Sequence, residues 1–259
     1  AAPCAVRAAA PAPGWAVSAG SLADLSLEEL ANLQITSVSR RAERLSDAAT
    51  SVYVITAEAI RRSGAASLPQ ALRLAPNLQV AQIDANQYAI SARGFNNAIG
   101  NKLLVLVDGR TVYTPFYSGV FWDQQDLVLA DVERIEVISG PGATLWGANA
   151  VNGVINVITR PARDTQGALA VIEGGSREGQ AIARYGARLG DSGHWRVYAK
   201  RLERQATRTQ AGARAADGWS GRQAGFRYDW SAAGDAFTLQ GDAYSARGDT
   251  RGSPPQTIA

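Results

Sequence analysis

From about residue 167 onward the chain alternates between two kinds of side chain with a period of two. Ala181, Ala183, Tyr185, Ala187 and Leu189 interleave with Ile182, Arg184, Gly186 and Arg188, and Trp195, Val197 and Ala199 with Arg196, Tyr198 and Lys200. The same rhythm returns with Ala224, Phe226, Tyr228 and Trp230 against Gln223, Gly225, Arg227 and Asp229, then with Phe237, Leu239, Gly241 and Ala243 against Thr238, Gln240 and Asp242. Such alternation predicts strands with one apolar face. The apolar positions are small or aromatic, with aromatics toward the strand ends, which suits a lipid-facing barrel wall better than the aliphatic inner face of a soluble sandwich. With strands at about 168–174 and 179–189 and onward, Gly190–Gly193 and Ser231–Gly234 read as short turns and Gln205–Gly221 as a long polar loop. Short turns at one end and long loops at the other are the spacing of an antiparallel transmembrane β-barrel. A barrel whose lumen holds a plugging domain takes roughly 22 strands, so the five strands expected over 166–259 are an incomplete barrel.

Residues 21–165 follow another grammar. Thr56 predicts a helix cap over Ala57–Ser63, with Gly64 as its stop. Ser67-Leu68-Pro69-Gln70 reads as a capping box, after which Leu68, Ala71, Leu72 and Ala75 share one helix face until Pro76-Asn77 ends it. Strands are expected at Val52–Thr56, Leu78–Ile83, Ala89–Arg93, Leu103–Val107, Arg134–Ser139 and Val154–Thr159. Leu103–Val107 is apolar on both faces and is therefore expected to be the buried central strand of a small mixed sheet. The expectation is an α+β domain with short helices. Residues 1–20, rich in Ala and Pro and ending in Val17-Ser18-Ala19, read as a signal-peptide remnant or a disordered lead.

Composition narrows the chemistry. The chain has 259 residues with one Cys, one His and no Met. The missing Met leads us to expect that the true start of the reading frame lies elsewhere. Cys4 alone removes disulfide frameworks and Cys-based zinc sites, and His194 alone supplies no histidine cluster. A net charge of +3 from 26 basic and 23 acidic residues is too mild to suggest nucleic acid. The longest aliphatic run, LLVLV, is far short of a spanning helix.

Four strings occur in order ahead of the alternating strands: SARGF at 91–95, LLVLVDGR at 103–110, RIEVISGPGATLWG at 134–147 and NAVNGVINVITR at 149–160. Taken singly each has an ordinary reading. Gly140, Gly142 and Gly147 suit a tight backbone course anchored by Leu145 and Trp146; the rival phosphate loop lacks the Lys-Ser or Lys-Thr pair after Gly147. Asp108-Gly109 reads as a turn, because no motif places a second carboxylate or a His beside it. Together and in this order, the strings resemble the plug domain of TonB-dependent outer-membrane receptors, over about Leu33 to Arg160.

That resemblance implies a domain order of a TonB-box region and linker at 21–45, a plug at 46–165 and the first barrel strands at 166–259, in the outer membrane of a Gram-negative bacterium. It implies an importer and no enzyme, without a cofactor or resident metal, that binds a scarce solute at the plug apex and is pulled open by the periplasmic TonB protein. A ferric siderophore is the first expected cargo. A corrinoid, another metal complex or an oligosaccharide are alternatives within the family; a soluble nucleotide-binding α/β domain is the alternative outside it. Ile35, Thr36, Ser37, Val38 and Ser39 resemble the TonB box, which adds as a strand to its partner; their ordinary reading is a lead into Arg40–Leu45. The stretch ahead of them is too short for an extra signalling domain, so a simple importer is expected. Arg93 and Arg134 occupy positions where relatives pair plug arginines with barrel glutamates, and Glu133 and Glu136 are local rivals for them. Ser139 stands where relatives often have another Arg. At the apex the expected ligand contacts are Asn86, Gln87, Tyr88, Asn96 and Asn97, and the aromatic loop residues Tyr113, Phe116, Tyr117, Phe121 and Trp122.

Overall fold

The computed structural model describes residues 6–9, 34–35, 43–44, 51–94, 100, 102–140, 142, 146–208 and 212–248. They fall in two compact units, one of Ala16–Ile83 with Gln87–Thr159, the other of Arg160–Ala259 with Ala1–Trp15 and Asp84–Asn86. In chain order the strands are β1 (Val6–Ala9), β2 (Gln34–Ile35), β3 (Glu43–Arg44), β4 (Ser51–Thr56), β5 (Leu78–Gln82), β6 (Tyr88–Ala92), β7 (Leu103–Val107), β8 (Arg110–Thr111), β9 (Val132–Ser139) and β10 (Gly153–Thr159). Then follow β11 (Gly167–Gly174), β12 (Glu178–Leu189), β13 (Gly193–Arg204), β14 (Trp219–Ala232) and β15 (Asp235–Gly248).

In the first unit a five-stranded sheet runs β4-β9-β10-β7-β8, with β7 and β10 parallel and the other neighbours antiparallel. The long apolar runs of β7, β9 and β10 follow from having cover on both faces. On one face Ile55, Leu103, Val105, Ile135, Val137, Ile155 and Val157 join the main core with Leu68 and Leu72. On the other, Leu104, Leu106, Ile138 and Val154 form a smaller cluster with Trp146 and Val52 against it. Each fully buried aliphatic side chain contributes about 1.5–3 kcal/mol, so this sheet is the stable body of the unit. Its central strand is β10, with β7 one place outward, which corrects the expectation for LLVLV. Apolarity on both faces reports burial and carries no information about the order of pairing. At Gly153 an added Cβ would lie 2.5 Å from the Ile138 carbonyl oxygen, so only glycine lets β10 come this close to β9.

The two helices among the described residues form where expected, the first as read and the second with two corrections. In α1 (Ala57–Ser63) the Thr56 hydroxyl accepts from the Ala59 amide and Gly64 ends the helix at φ +67°. The second, α2 (Leu68–Leu72), does not form the expected capping box: the Gln70 side chain accepts from the Ala66 amide, one residue ahead of the cap, and the buried Ser67 hydroxyl makes no cap bond. Past Leu72 the chain tightens into three-residue turns, with Leu74 and Ala75 donating to Ala71 and Leu72, so Ala75 lies beyond the helix.

In the second unit β11 to β15 form one antiparallel sheet in chain order, and β1 pairs along β15 at its far edge. The alternation has the expected sense. Gln180, Ile182 and Gly186 of β12 and Arg196, Lys200, Leu202 and Arg204 of β13 are buried, while Ala181, Ala183, Tyr185, Val197 and Ala199 are exposed. Stacked Tyr228–Trp230 and Trp230–Phe237 pairs, with ring centroids 4.9 and 5.3 Å apart, lie beside the short 190–192 and 233–234 turns. The 205–218 loop is long as expected; the β11–β12 connection at the same end, 175–177, is short.

Candidate functional site

Four places carry polar or aromatic residues that the core does not explain. The first is on β9, where Arg134 and Glu136 stand two residues apart on one face. The Arg134 Nε donates to Glu136 at 2.8 Å, its guanidinium also binds Glu133, and Glu136 is 0% exposed. The local rivals therefore hold Arg134 in this structure. Arg93 is exposed at φ +57°. Asn77 donates to the Ser139 hydroxyl, giving that serine a partner within its own unit.

The second place is the Asp108 turn. Asp108 sits at φ +48°, and its carboxylate accepts from the Thr159 amide at 2.8 Å and the Thr159 hydroxyl at 2.7 Å. The turn after β7 is thereby stapled to the last residue of β10. The carboxylate is structural, as the Asp-Gly reading expects. Asp108→Ala should cost about 2–4 kcal/mol, since bonds to a charged acceptor are worth about 1.5–3 kcal/mol each; the denaturation midpoint checks this, and a shift under about 0.5 kcal/mol would reject the staple.

Two glycine amides of the turn are already engaged among the described residues. The Gly140 amide donates to Asn152 and the Gly142 amide to Ala150, at 3.1 and 2.9 Å, whereas a phosphate loop needs such amides free.

The third place is the aromatic loop. Thr114 and Gly119 pair back to back, with the Thr114 amide donating at 2.9 Å, and Ser118 turns at φ +54°. Tyr117 and Phe121 stack at 4.1 Å, and Phe116 is 96% exposed at the tip. Burial, then the Asp123 carboxylate, hold the Tyr117 phenol above its ordinary value, so it is a neutral hydroxyl across the physiological range. Trp122, only 8% exposed, and Tyr88, 3% exposed, pack into the main core. Of the expected contacts, Phe116, Tyr117, Phe121 and Tyr113 therefore remain at least partly at the surface, whereas Trp122 and Tyr88 belong to the core. Gln87 closes the β5–β6 loop through its carbonyl, which accepts from the Ile83 amide. Asn96 and Asn97, like Thr36, Ser37, Val38 and Ser39, lie outside the described residues. Ile35 is fully buried and pairs with Glu43.

The fourth place was missed in the sequence. In the second unit an open recess of about 610 Å³ is lined by Glu178, Glu203, Arg204, Trp219 and Arg247. Arg204 lies over the Trp219 ring at 5.8 Å, pairs with Glu178 at 3.2 Å and donates to the Ala85 carbonyl at 3.4 Å. The neighbouring Asn86 amide donates to Asp84 at 2.9 Å. Only folding brings Ala85 to Arg204, so no local motif announces the group.

Residues 44–154 match the family model described as the TonB-dependent Receptor Plug Domain. The chain carries a TonB-dependent receptor plug. The vitamin B12 transporter BtuB of Vibrio vulnificus is 32% identical over 144 residues, 55% of this chain and 23% of that protein. BtuB of Vibrio cholerae is 28% identical over 164 residues, 63% of this chain and 26% of the relative. The chain thus spans about a quarter of the length of these curated relatives. Among solved structures, Pseudomonas aeruginosa FpvA bound to heterologous pyoverdines aligns over 82% of this chain and 27% of its own, with a TM-score of 0.65 at 18% identity. The siderophore receptor PirA of Acinetobacter baumannii aligns over 78% and 32%, with a TM-score of 0.61 at 21% identity. At these identities the likeness is one of fold: a mixed-sheet plug followed by antiparallel barrel strands. The setting of such a chain is the outer membrane of a Gram-negative bacterium.

Proposed function

We propose that the plug and first strands described here belong to a TonB-dependent transporter that imports a bulky metal chelate across the outer membrane, a ferric siderophore being the first cargo to test. The observation that carries this reading is the aromatic loop. A 96% exposed Phe116 on a turn closed by the Thr114–Gly119 bridge is an apolar tip held out toward solvent, which is costly unless it meets a ligand. Half-buried Tyr113 and Tyr117 add hydroxyls suited to an oxygen-rich complex. A corrinoid is the second reading, supported by the similarity to vitamin B12 transporters of Vibrio. The reading includes no covalent chemistry; work is delivered by TonB pulling on the segment around Ile35.

Uptake by cells carrying the complete receptor tests it. Cells with the receptor should accumulate one class of chelate, ferric siderophore or cobalamin, and lose that uptake on removal of TonB. Accumulation of neither would sink the proposal. Phe116→Ala should weaken binding of the imported chelate about tenfold with the melting temperature unchanged; unaltered affinity would remove the hairpin from the site.

A further inference from the structure

The segment joining the plug to the barrel strands is a built dock. The boundary between the two compact units falls between Thr159 and Arg160. From there Ala162–Thr165 forms one 3-10 turn, and Ala162 and Thr165 are 0% and 2% exposed. Three consecutive strands each contribute a different contact to this segment. On β12, Gly186 has no Cβ, and one placed there would lie 2.4 Å from the Thr165 carbonyl oxygen and 3.3 Å from the Gln166 Cα. On β13, the buried Arg196 guanidinium donates to the Arg160 carbonyl and, at 3.2 Å, to the Thr165 hydroxyl. On β14, the Asp229 carboxylate accepts from the Ala162 amide at 2.6 Å.

Asp229 is itself held in place. The Arg227 Nε donates to both of its oxygens at 2.9 Å, and the Thr238 hydroxyl of β15 donates at 2.7 Å. Gly186, Arg196 and Arg227 are cross-strand partners in one row, with Asp229 two residues along β14 from Arg227. The linker thus lies across a prepared band of wall. Its bonds to Asp229 and Arg196 are charge-assisted, the stronger kind.

We propose that this dock is the fixed end of the plug's movement. Tension applied from the N-terminal side would rearrange the chain up to Thr159, and Arg160–Gln166 would stay on the wall, so each cycle ends with the plug tethered at a defined point. Arg196 and Asp229 are positioning residues in this device, and Gly186 is the space it occupies. The idea rests on the transporter reading for its purpose, but its geometry is tested without any cargo.

The test uses the complete receptor in lipid bilayers. Hydrogen exchange over 160–166 should accelerate about tenfold or more in Arg196→Gln and in Asp229→Leu, with exchange in β12, β13 and β14 unchanged. Asp229→Asn keeps an acceptor oxygen and should leave the Ala162 amide protected. Gly186→Ala attacks the same dock by bulk and should deprotect 160–166 as well. In single-molecule pulling from Ile35 with the barrel held, the parent should show plug release and then a separate event at higher force, which Arg196→Gln should lower or abolish. If Asp229→Leu fails to fold, Arg196→Gln and Gly186→Ala carry the test. Unchanged exchange over 160–166 in those variants, or an unaltered second event, overturns the dock. Absence of chelate uptake with these results intact would instead overturn the transporter reading.

Discussion

Arg134→Ala is expected to destabilise the plug by about 3–5 kcal/mol, the cost of leaving a buried charge without its partner. Glu136 is 0% exposed and receives the Arg134 Nε at 2.8 Å, so alanine removes the cation and leaves the carboxylate where water does not reach. The denaturation midpoint of the plug in the complete receptor gives the number. Adding Glu136→Gln to the alanine variant should recover most of the loss, because the uncompensated charge is gone. A double replacement by Met at Arg134 and Leu at Glu136 should come near the parent, since a buried ion pair gains little over well-packed apolar groups. A loss below about 1 kcal/mol in Arg134→Ala would mean that the pair is not what neutralises Glu136. The same geometry has a functional edge: an arginine already paired on its own strand must give up Glu133 and Glu136 before it can bind an acid elsewhere.

Ile35→Pro should reduce energised uptake by the complete receptor to the level seen without TonB, with chelate affinity unchanged. Proline deletes a backbone donor and cannot serve in the middle of an added strand. In the structure Ile35 is fully buried and belongs to a ladder of two residue pairs, Gln34 with Arg44 and Ile35 with Glu43. So short a ladder is marginal by itself, which suits a segment that must be surrendered to a partner. Ile35→Val, which keeps the donor and the shape, is the control and should transport normally. Parent-level uptake in the proline variant would place the box elsewhere.

Much of the fold was legible because local rules decided it. Thr56 and Gly64 bracket α1 as cap and stop, Leu103–Val107 is a strand at the expected bounds, and the alternation from residue 181 put Arg196 and Lys200 on the covered face. What escaped the sequence depended on pairing between distant segments. Strand order put β10 at the centre of the sheet, and nothing in the apolarity of β7 could say so. An aromatic in a loop can turn inward or outward with the same sequence signature; Trp122 went to the core while Phe116 stayed out. The Arg204 recess and the Asp229 dock are assembled from residues on separate strands, each of which alone reads as an ordinary polar position on a barrel wall.

The wiring of the plug sheet also bears on speed. β4 pairs with β9 by joining Ser51 to Ser139, and β7 pairs in parallel with β10 by joining Leu103 to Gly153. Contacts between such remote parts of a chain close slowly, and domains dominated by them fold over roughly milliseconds to seconds. A transport cycle that dismantled this sheet would have to wait for it to re-form before the pore resealed, whereas one that only shifted the aromatic hairpin and the short β2–β3 ladder would not. The turnover rate of the complete receptor therefore serves as a clock that separates the two.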